Sequence, residues 1–382
     1  MSKRVIKSLF VLVVLGVAVS AIYMRQPALS EGAVINIGSI SALTGIGVAP
    51  GEEERNGARL AVEEINAQGG IDGRQLALVE GDLSLDKMKN ASLVVSKLID
   101  VDKVVAIVGA QWDEPTEAII PLIEAAKIPT ISPDATNHVE IDRDAPYFFS
   151  TWYDNRVGIR TILAYANQHN LKKIYIIRPV NGGFWKFTAD LITEYAPQYG
   201  VTIIGDMDLG NPLITDFRTP IAKVRQSNPD AVFIVETDPA QCVFAKQARE
   251  LGLTVPILAT EAAGNYNSLS TCARDLETSY FSTPKHSTEY QKFENVYAAR
   301  YGHVPQYPSA VTAYDAVFVI ARGLEKTKGK GGQTLRDAIA ETKDMKGAAL
   351  SRISFDQKGY LITPDDAFEM QTVRGGKFVK AE

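Results

Sequence analysis

Residues 173–236 read KIYIIRPVNGGFWKFTADLITEYAPQYGVTIIGDMDLGNPLITDFRTPIAKVRQSNPDAVFIVE. Short β-rich runs at 173–178, 201–207 and 231–236 alternate with helical apolar spacing at 184–199 and 218–226. Strand–helix–strand at this pitch means parallel strands, because each helix carries the chain back to begin the next strand. Sheets of this kind are covered by helices on both faces.

The same alternation runs outward in both directions. Upstream, strands are expected at 34–39, 75–82, 104–109 and 129–132, with helices at 52–68, 86–99, 115–126 and 155–169. Ala58, Ala61 and Ile65 share one face of the first helix, and Gly69-Gly70 stop it. Downstream, a helix at 239–251 and a strand at 255–259 follow. About ten such units would crowd one open sheet, so the expected fold is α/β with two lobes, each a mostly parallel sheet flanked by helices. The stretch 144–151 reads as a first crossover. Helices at 287–301, 309–326 and 334–341 have few strands between them and are expected to pack back onto the first lobe. The tail at 353–379 reads as short strands joined by the turn Asp356-Gln357-Lys358-Gly359.

The 382 residues are 46% hydrophobic and 22% charged, with a formal charge of −5. That composition excludes disorder, collagen and a disulfide-framework miniprotein, and the acidic balance argues against nucleic acid as a partner. At the N-terminus, Lys3, Arg4 and Lys7 precede an uncharged apolar stretch at 8–23. This reads as an export signal, residues 1–30, with a cut after Ser30 favoured over one after Ala21. An uncleaved membrane anchor is the alternative. A cut after Ser30 removes Lys3, Arg4, Lys7 and Arg25 and no acid, which takes the charge from −5 to −9. Export would place Cys242 and Cys272 in an oxidising compartment, where a bridge and two separate buried thiols both remain open.

Enzyme motifs are missing. The four His, at 138, 169, 286 and 303, have neither helical nor zinc-ligand spacing. No Gly-x-Ser-x-Gly elbow exists. Gly329-Lys330-Gly331-Gly332 follows a helix and lacks phosphate-loop spacing. No metal site, cofactor or catalytic set is expected.

The stretch Asn56-Gly57-Ala58-Arg59-Leu60-Ala61-Val62-Glu63-Glu64-Ile65-Asn66-Ala67-Gln68-Gly69-Gly70-Ile71-Asp72-Gly73-Arg74 resembles the signature of the branched-chain amino-acid binding proteins. These are type I periplasmic substrate-binding proteins of ABC importers. Ile107-Val108-Gly109, Ile131-Ser132-Pro133-Asp134-Ala135-Thr136, Gln247-Ala248-Arg249-Glu250-Leu251-Gly252-Leu253 and Phe355-Asp356-Gln357-Lys358-Gly359 continue the match in order. The resemblance implies two lobes joined by three crossovers, closing on a solute that is handed to a membrane permease, by a periplasmic monomer. It divides the chain into lobe 1 at 31–150, lobe 2 at 151–282, a return to lobe 1 at 283–350 and a crossover tail into lobe 2 at 351–382. A ligand-sensing receptor on the same fold and an enzyme using cleft carboxylates are the rival readings.

The resemblance also implies a pocket. Asp113, beside Trp112, stands where the family binds the ligand carboxylate with a small hydroxyl residue and backbone NH groups. A second carboxylate there would repel the first. Thr136 keeps a hydroxyl and an NH, while its neighbour Asp134 replaces a small neutral residue. Glu261 falls where the family sets an acid against the ligand ammonium. Thr237, next to Asp238, and Gly183, followed by Phe184 and Trp185, take the family's aromatic positions. Acids mixed with aromatics suit an amine-bearing ligand. Helix capping or pairing with Arg156 is the alternative for Asp113 and Asp134, and core packing the alternative for Trp112.

Overall fold

Strands and helices sort into two sheets in the computed structural model, which describes residues 34–45, 47–84, 90–136, 144–180, 183–211, 214–236 and 239–382. The export segment at 1–30, the start of the helix expected from residue 86, and both Thr237 and Asp238 lie outside the described residues. Along the chain come β1 (Ile35–Ser41), α1 (Val48–Ala67), β2 (Leu76–Asp82), α2 (Asn90–Asp100), β3 (Ala106–Val108), α3 (Asp113–Ala126), β4 (Thr130–Ser132) and β5 (Phe148–Ser150). Their strands form one parallel sheet in the order β2-β1-β3-β4-β5. Strands β3 and β4 are buried throughout, as suits inner strands covered on both faces. Residues 148–150, expected to be plain crossover, pair with β4 as the edge strand; three residues are too few to show a period.

The second sheet follows α4 (Asn155–Gln168), with β6 (Lys173–Arg178), α5 (Gly183–Tyr195), β7 (Thr202–Asp208), α6 (Arg218–Gln226), β8 (Ala231–Ile234), α7 (Ala240–Glu250), β9 (Ile257–Ala259), α8 (Tyr266–Cys272) and β10 (Ser279–Pro284). Five of its strands run parallel in the order β7-β6-β8-β9-β10. The sequence gives no legible sign of α8 or β10. The first is a short polar helix, and the second mixes Ser, Thr and Pro with two aromatics. Cys242 in α7 and Cys272 at the end of α8 form a disulfide, their Cα atoms 5.7 Å apart.

Helices α9 (Thr288–Tyr301), α10 (Ser309–Thr327) and α11 (Gly332–Ala340) then return to the first sheet, as expected. Ala58, Ala61 and Ile65 of α1 share a core with Val311, Val317 and Ile320 of α10. The two helices approach so closely that a Cβ added at Gly57 would lie 1.9 Å from the Ala310 carbonyl oxygen. A short antiparallel pair, β11 (Met345–Lys346) and β12 (Arg352–Ile353), precedes β13 (Phe368–Arg374) and β14 (Lys377–Lys380). These last two strands add antiparallel to β10. The chain therefore passes between the sheets three times, at 150–155, 284–288 and 353–368. Among the described residues no helix is long and apolar enough to cross a membrane.

Candidate functional site

In proteins built on parallel sheets, ligands sit beyond the C-terminal ends of the strands. In lobe 1 the loop after β3 and the loop after β4 are tied to one another by their own acids. Asp134 accepts a hydrogen bond from the Trp112 amide at 2.7 Å. Asp113, at the first position of α3, accepts from the Thr136 amide and from the Thr136 hydroxyl, both at 2.7 Å. All three polar side chains are buried. Among the described residues Arg156 pairs with Asp154. Asp113 bonds across to a neighbouring loop, and Trp112 occupies the capping position before α3. Trp112 is half-buried and packs on the lobe 1 core.

On lobe 2, Glu261 follows β9 and is 1% exposed. Its carboxylate accepts from the Asn155 side-chain amide at 3.3 Å. Asn155 begins α4 and is also buried, and its Oδ1 has no hydrogen-bond partner. Glu261 lines a cavity of about 220 Å³ together with Tyr153, Tyr266, Tyr290 and Tyr307. Tyr307 comes from the lobe 1 side, just before α10, so the cavity is shared between lobes. A second cavity of about 290 Å³ is lined by Glu64, Lys292, Phe318 and Lys346, all on lobe 1 elements and their connections, and lies away from Glu261. Phe184 and Trp185, in the first turn of α5, pack against the lobe 2 core. The same turn meets lobe 1, because a Cβ at Gly183 would lie 2.2 Å from Glu114 Oε1 of α3.

Burial sets the electrostatics of these acids. It pushes Glu261 up to about 7 and Asp134 up to about 7, since a carboxylate loses its hydration inside the protein. Burial also holds Asp113 well above the usual carboxylate range, against the opposing effect of the Thr136 hydrogen bonds. Glu54 of α1 is raised well above that range by burial and then by the charge of Asp134. It is fully buried, and neither of its carboxylate oxygens has a hydrogen-bond partner. Sequence reading passed over Glu54 because Glu52, Glu53 and Arg55 around it look like a solvated charge run. The available signal was its register: it stands four residues before Ala58, on the buried stripe.

Two lobes, three passages between them and a shared cavity with a buried acid describe a solute-binding shape. A family model described as periplasmic binding protein matches residues 34–376. The chain belongs to this family. This binding protein is 25% identical over 334 residues, 86% of its length and 87% of the relative's, to the leucine-, isoleucine-, valine-, threonine- and alanine-binding protein of Pseudomonas aeruginosa. It is 28% identical over 259 residues, 67% of each chain, to an amino acid binding protein of the same organism. Its fold matches the branched-chain amino acid transporter substrate binding protein LivJ from Streptococcus pneumoniae, solved in complex with isoleucine. That match has a TM-score of 0.80 and 27% identity, covering 91% of this chain and 100% of the other. A solute binding protein of an ABC transporter from Rhodopseudomonas palustris, solved with 3,4-dihydroxy benzoic acid, shares the fold at TM-score 0.80 and 20% identity, covering 91% and 95% of the two chains. The family is one of solute binders serving transporters, and this binding protein is not an enzyme.

Proposed function

We propose that this binding protein captures a small amine-bearing solute, an amino acid or a related compound, between its lobes and delivers it to the membrane permease of an ABC importer. The observation that carries the reading is Glu261, a fully buried carboxylate opening onto a small interlobe cavity walled by tyrosines. An ammonium group entering that cavity gains a charge-assisted hydrogen bond and the faces of aromatic rings. Trp112, Asp113, Asp134, Thr136, Phe184, Trp185, Thr237 and Asp238 complete the proposed site with Glu261. The names of the relatives favour amino acids; the acids on the lobe 1 loops favour any solute with a cationic amine. Lobe boundaries at 150, 282 and 350 make the crossovers the hinges, and closure on the solute creates the shape that a permease can select. Export to the periplasm and a monomeric state belong to the same reading.

Native mass spectrometry of freshly purified protein, followed by a thermal-shift panel of amines and amino acids, tests the proposal. A true ligand at 100 times its dissociation constant stabilises by about 2.7 kcal/mol. If dicarboxylates alone shift the melting curve, the amine reading is wrong.

A further inference from the structure

Several hydrogen-bond donors on the lobe 1 loops are already engaged. The Trp112 amide is held by Asp134, and the Thr136 amide and hydroxyl are held by Asp113. The Ala135 amide donates to the Ser132 hydroxyl. On the loop after β1, the Leu43 and Thr44 amides both donate to Asp82. A ligand carboxylate arriving at these loops would have to displace a carboxylate of the protein from the groups best placed to receive it.

Glu54 is fully buried with both oxygens unpartnered. On the facing lobe, the Asn155 Oδ1 is an unpartnered buried acceptor held next to Glu261 by its own amide group. Buried polar groups are normally paired, and an orphan points to a place where a ligand group can bind. Orphans of both kinds remain, since the Trp185 indole NH and the Thr283 hydroxyl are also buried without a partner; what sets the lobe 1 loops apart is that the donors of Trp112, Ala135 and Thr136 are engaged. Loops whose amide and hydroxyl donors are already occupied have least to offer a ligand carboxylate.

We infer that the captured solute is a cationic amine that carries no carboxylate, so that the decarboxylated counterpart of an amino acid is preferred to the amino acid itself. The inference rests on the amine reading above and narrows it to a substrate class. Asp113 is its specificity-determining residue: by holding Thr136 it removes a carboxylate-binding pair of donors.

The test is isothermal titration of the full chain with matched pairs: 3-methylbutylamine and leucine, phenethylamine and phenylalanine, 1,4-diaminobutane and ornithine. The expected result is that an amine binds roughly tenfold or more tighter than its amino acid. In the Asp113→Ser protein, which releases the Thr136 donors, that preference should narrow by roughly tenfold. Equal or tighter binding of the amino acid in every pair that binds overturns the inference and leaves the amine reading standing. Binding of no member of any pair, with no amine found in native mass spectra, overturns the amine reading itself and the inference with it. Should Asp113→Ser not fold, the wild-type ratios alone decide.

Discussion

The Asp113 carboxylate accepts two hydrogen bonds from Thr136, one from its amide and one from its hydroxyl, each 2.7 Å long. The pair staples the start of α3 to the loop after β4. A residue that looks like a ligand contact in the sequence is thus also a structural tie. The two roles separate by mutation. Asp113→Ala leaves a buried amide and a buried hydroxyl without an acceptor and should cost about 2 kcal/mol, measured by urea denaturation. Asp113→Asn keeps one carbonyl acceptor and should stay within about 1 kcal/mol of wild type. A double-mutant cycle with Thr136→Val should return a coupling of roughly 1–2 kcal/mol. A coupling near zero would mean that the tie does not form in solution.

Glu261→Gln isolates charge from shape. The amide still offers Oε1 to the Asn155 side-chain amide, so the apo fold should be as stable as wild type or slightly more so. Amine affinity should fall by roughly 100-fold, about 3 kcal/mol, as for the loss of one partner of a buried charge pair. Calorimetry on the variant decides this. Undiminished affinity would move the ammonium site elsewhere.

Stability of the ligand-free protein should decline as pH rises through the range from about 4 to about 7. Burial raises Glu261, Asp134 and Asp315 to about 7 in the folded chain. In the unfolded chain these groups titrate near 4. Between those values the folded state binds more protons than the unfolded state, so each rise in pH costs stability until all three are ionised in both. The melting temperature should therefore be several degrees lower at about pH 8 than at about pH 5.5. Stabilisation by an amine should run the other way, being larger at the higher pH, because only the ionised Glu261 pairs with an ammonium. A scan of melting temperature against pH with and without ligand reads both slopes.

Long-period signals were legible in the sequence, and partners supplied from far along the chain were not. Strands such as Lys173–Arg178 and Ala231–Ile234 sit between helices with clear apolar stripes, so the two sheets and the return of α10 to the first lobe are legible, while its seat on α1 is not. Strand β10 is a central strand of the second sheet but shows no apolar run, because its Ser and Thr side chains are buried among neighbours contributed by β9 and β13. Glu54 looked solvated because its cover depends on the packing of α10, whose Ala310 lies against Gly57 one turn along the same helix. The acids Asp113, Asp134 and Glu261 stand out in the sequence through the family resemblance alone. Their hydrogen-bond partners do not, since Thr136 and Asn155 meet them only after the loops fold. Thr237 and Asp238 lie outside the described residues.

The disulfide should stabilise lobe 2 measurably. Cys242 and Cys272 are 30 residues apart and join α7 to α8, beside the loop that carries Glu261. Closing a loop of that length removes about 3.6 kcal/mol of unfolded-chain entropy on the chain-entropy relation. The Cys242→Ser, Cys272→Ser double variant should lose up to that amount in chemical denaturation, and reductant should destabilise wild type but leave the variant unchanged. Equal stability with and without reductant in the wild type would show that the bond is not formed in the purified protein.

Gly57 belongs to the sequence stretch that first suggested the family, and the structure gives the physical reason for a glycine there. A Cβ would lie 1.9 Å from the Ala310 carbonyl oxygen, which is rigid helix backbone and cannot rotate away. Gly57→Ala must therefore push α10 off α1 and open the core shared by Ala58, Ala61, Val311 and Val317. Overpacking of this kind typically costs 1–3 kcal/mol, and a clash against backbone belongs at about the upper end of that range. Because Glu54 lies on the same helix one turn earlier, the displacement should also admit water to its carboxylate and weaken solute binding. Gly57→Ala should thus lower both melting temperature and affinity, while Gly69→Ala, where an added Cβ meets nothing within 4 Å but φ is +106°, should lower melting temperature and leave affinity unchanged. An affinity loss of equal size in both variants would attribute the binding defect to general destabilisation instead of to the α1–α10 contact.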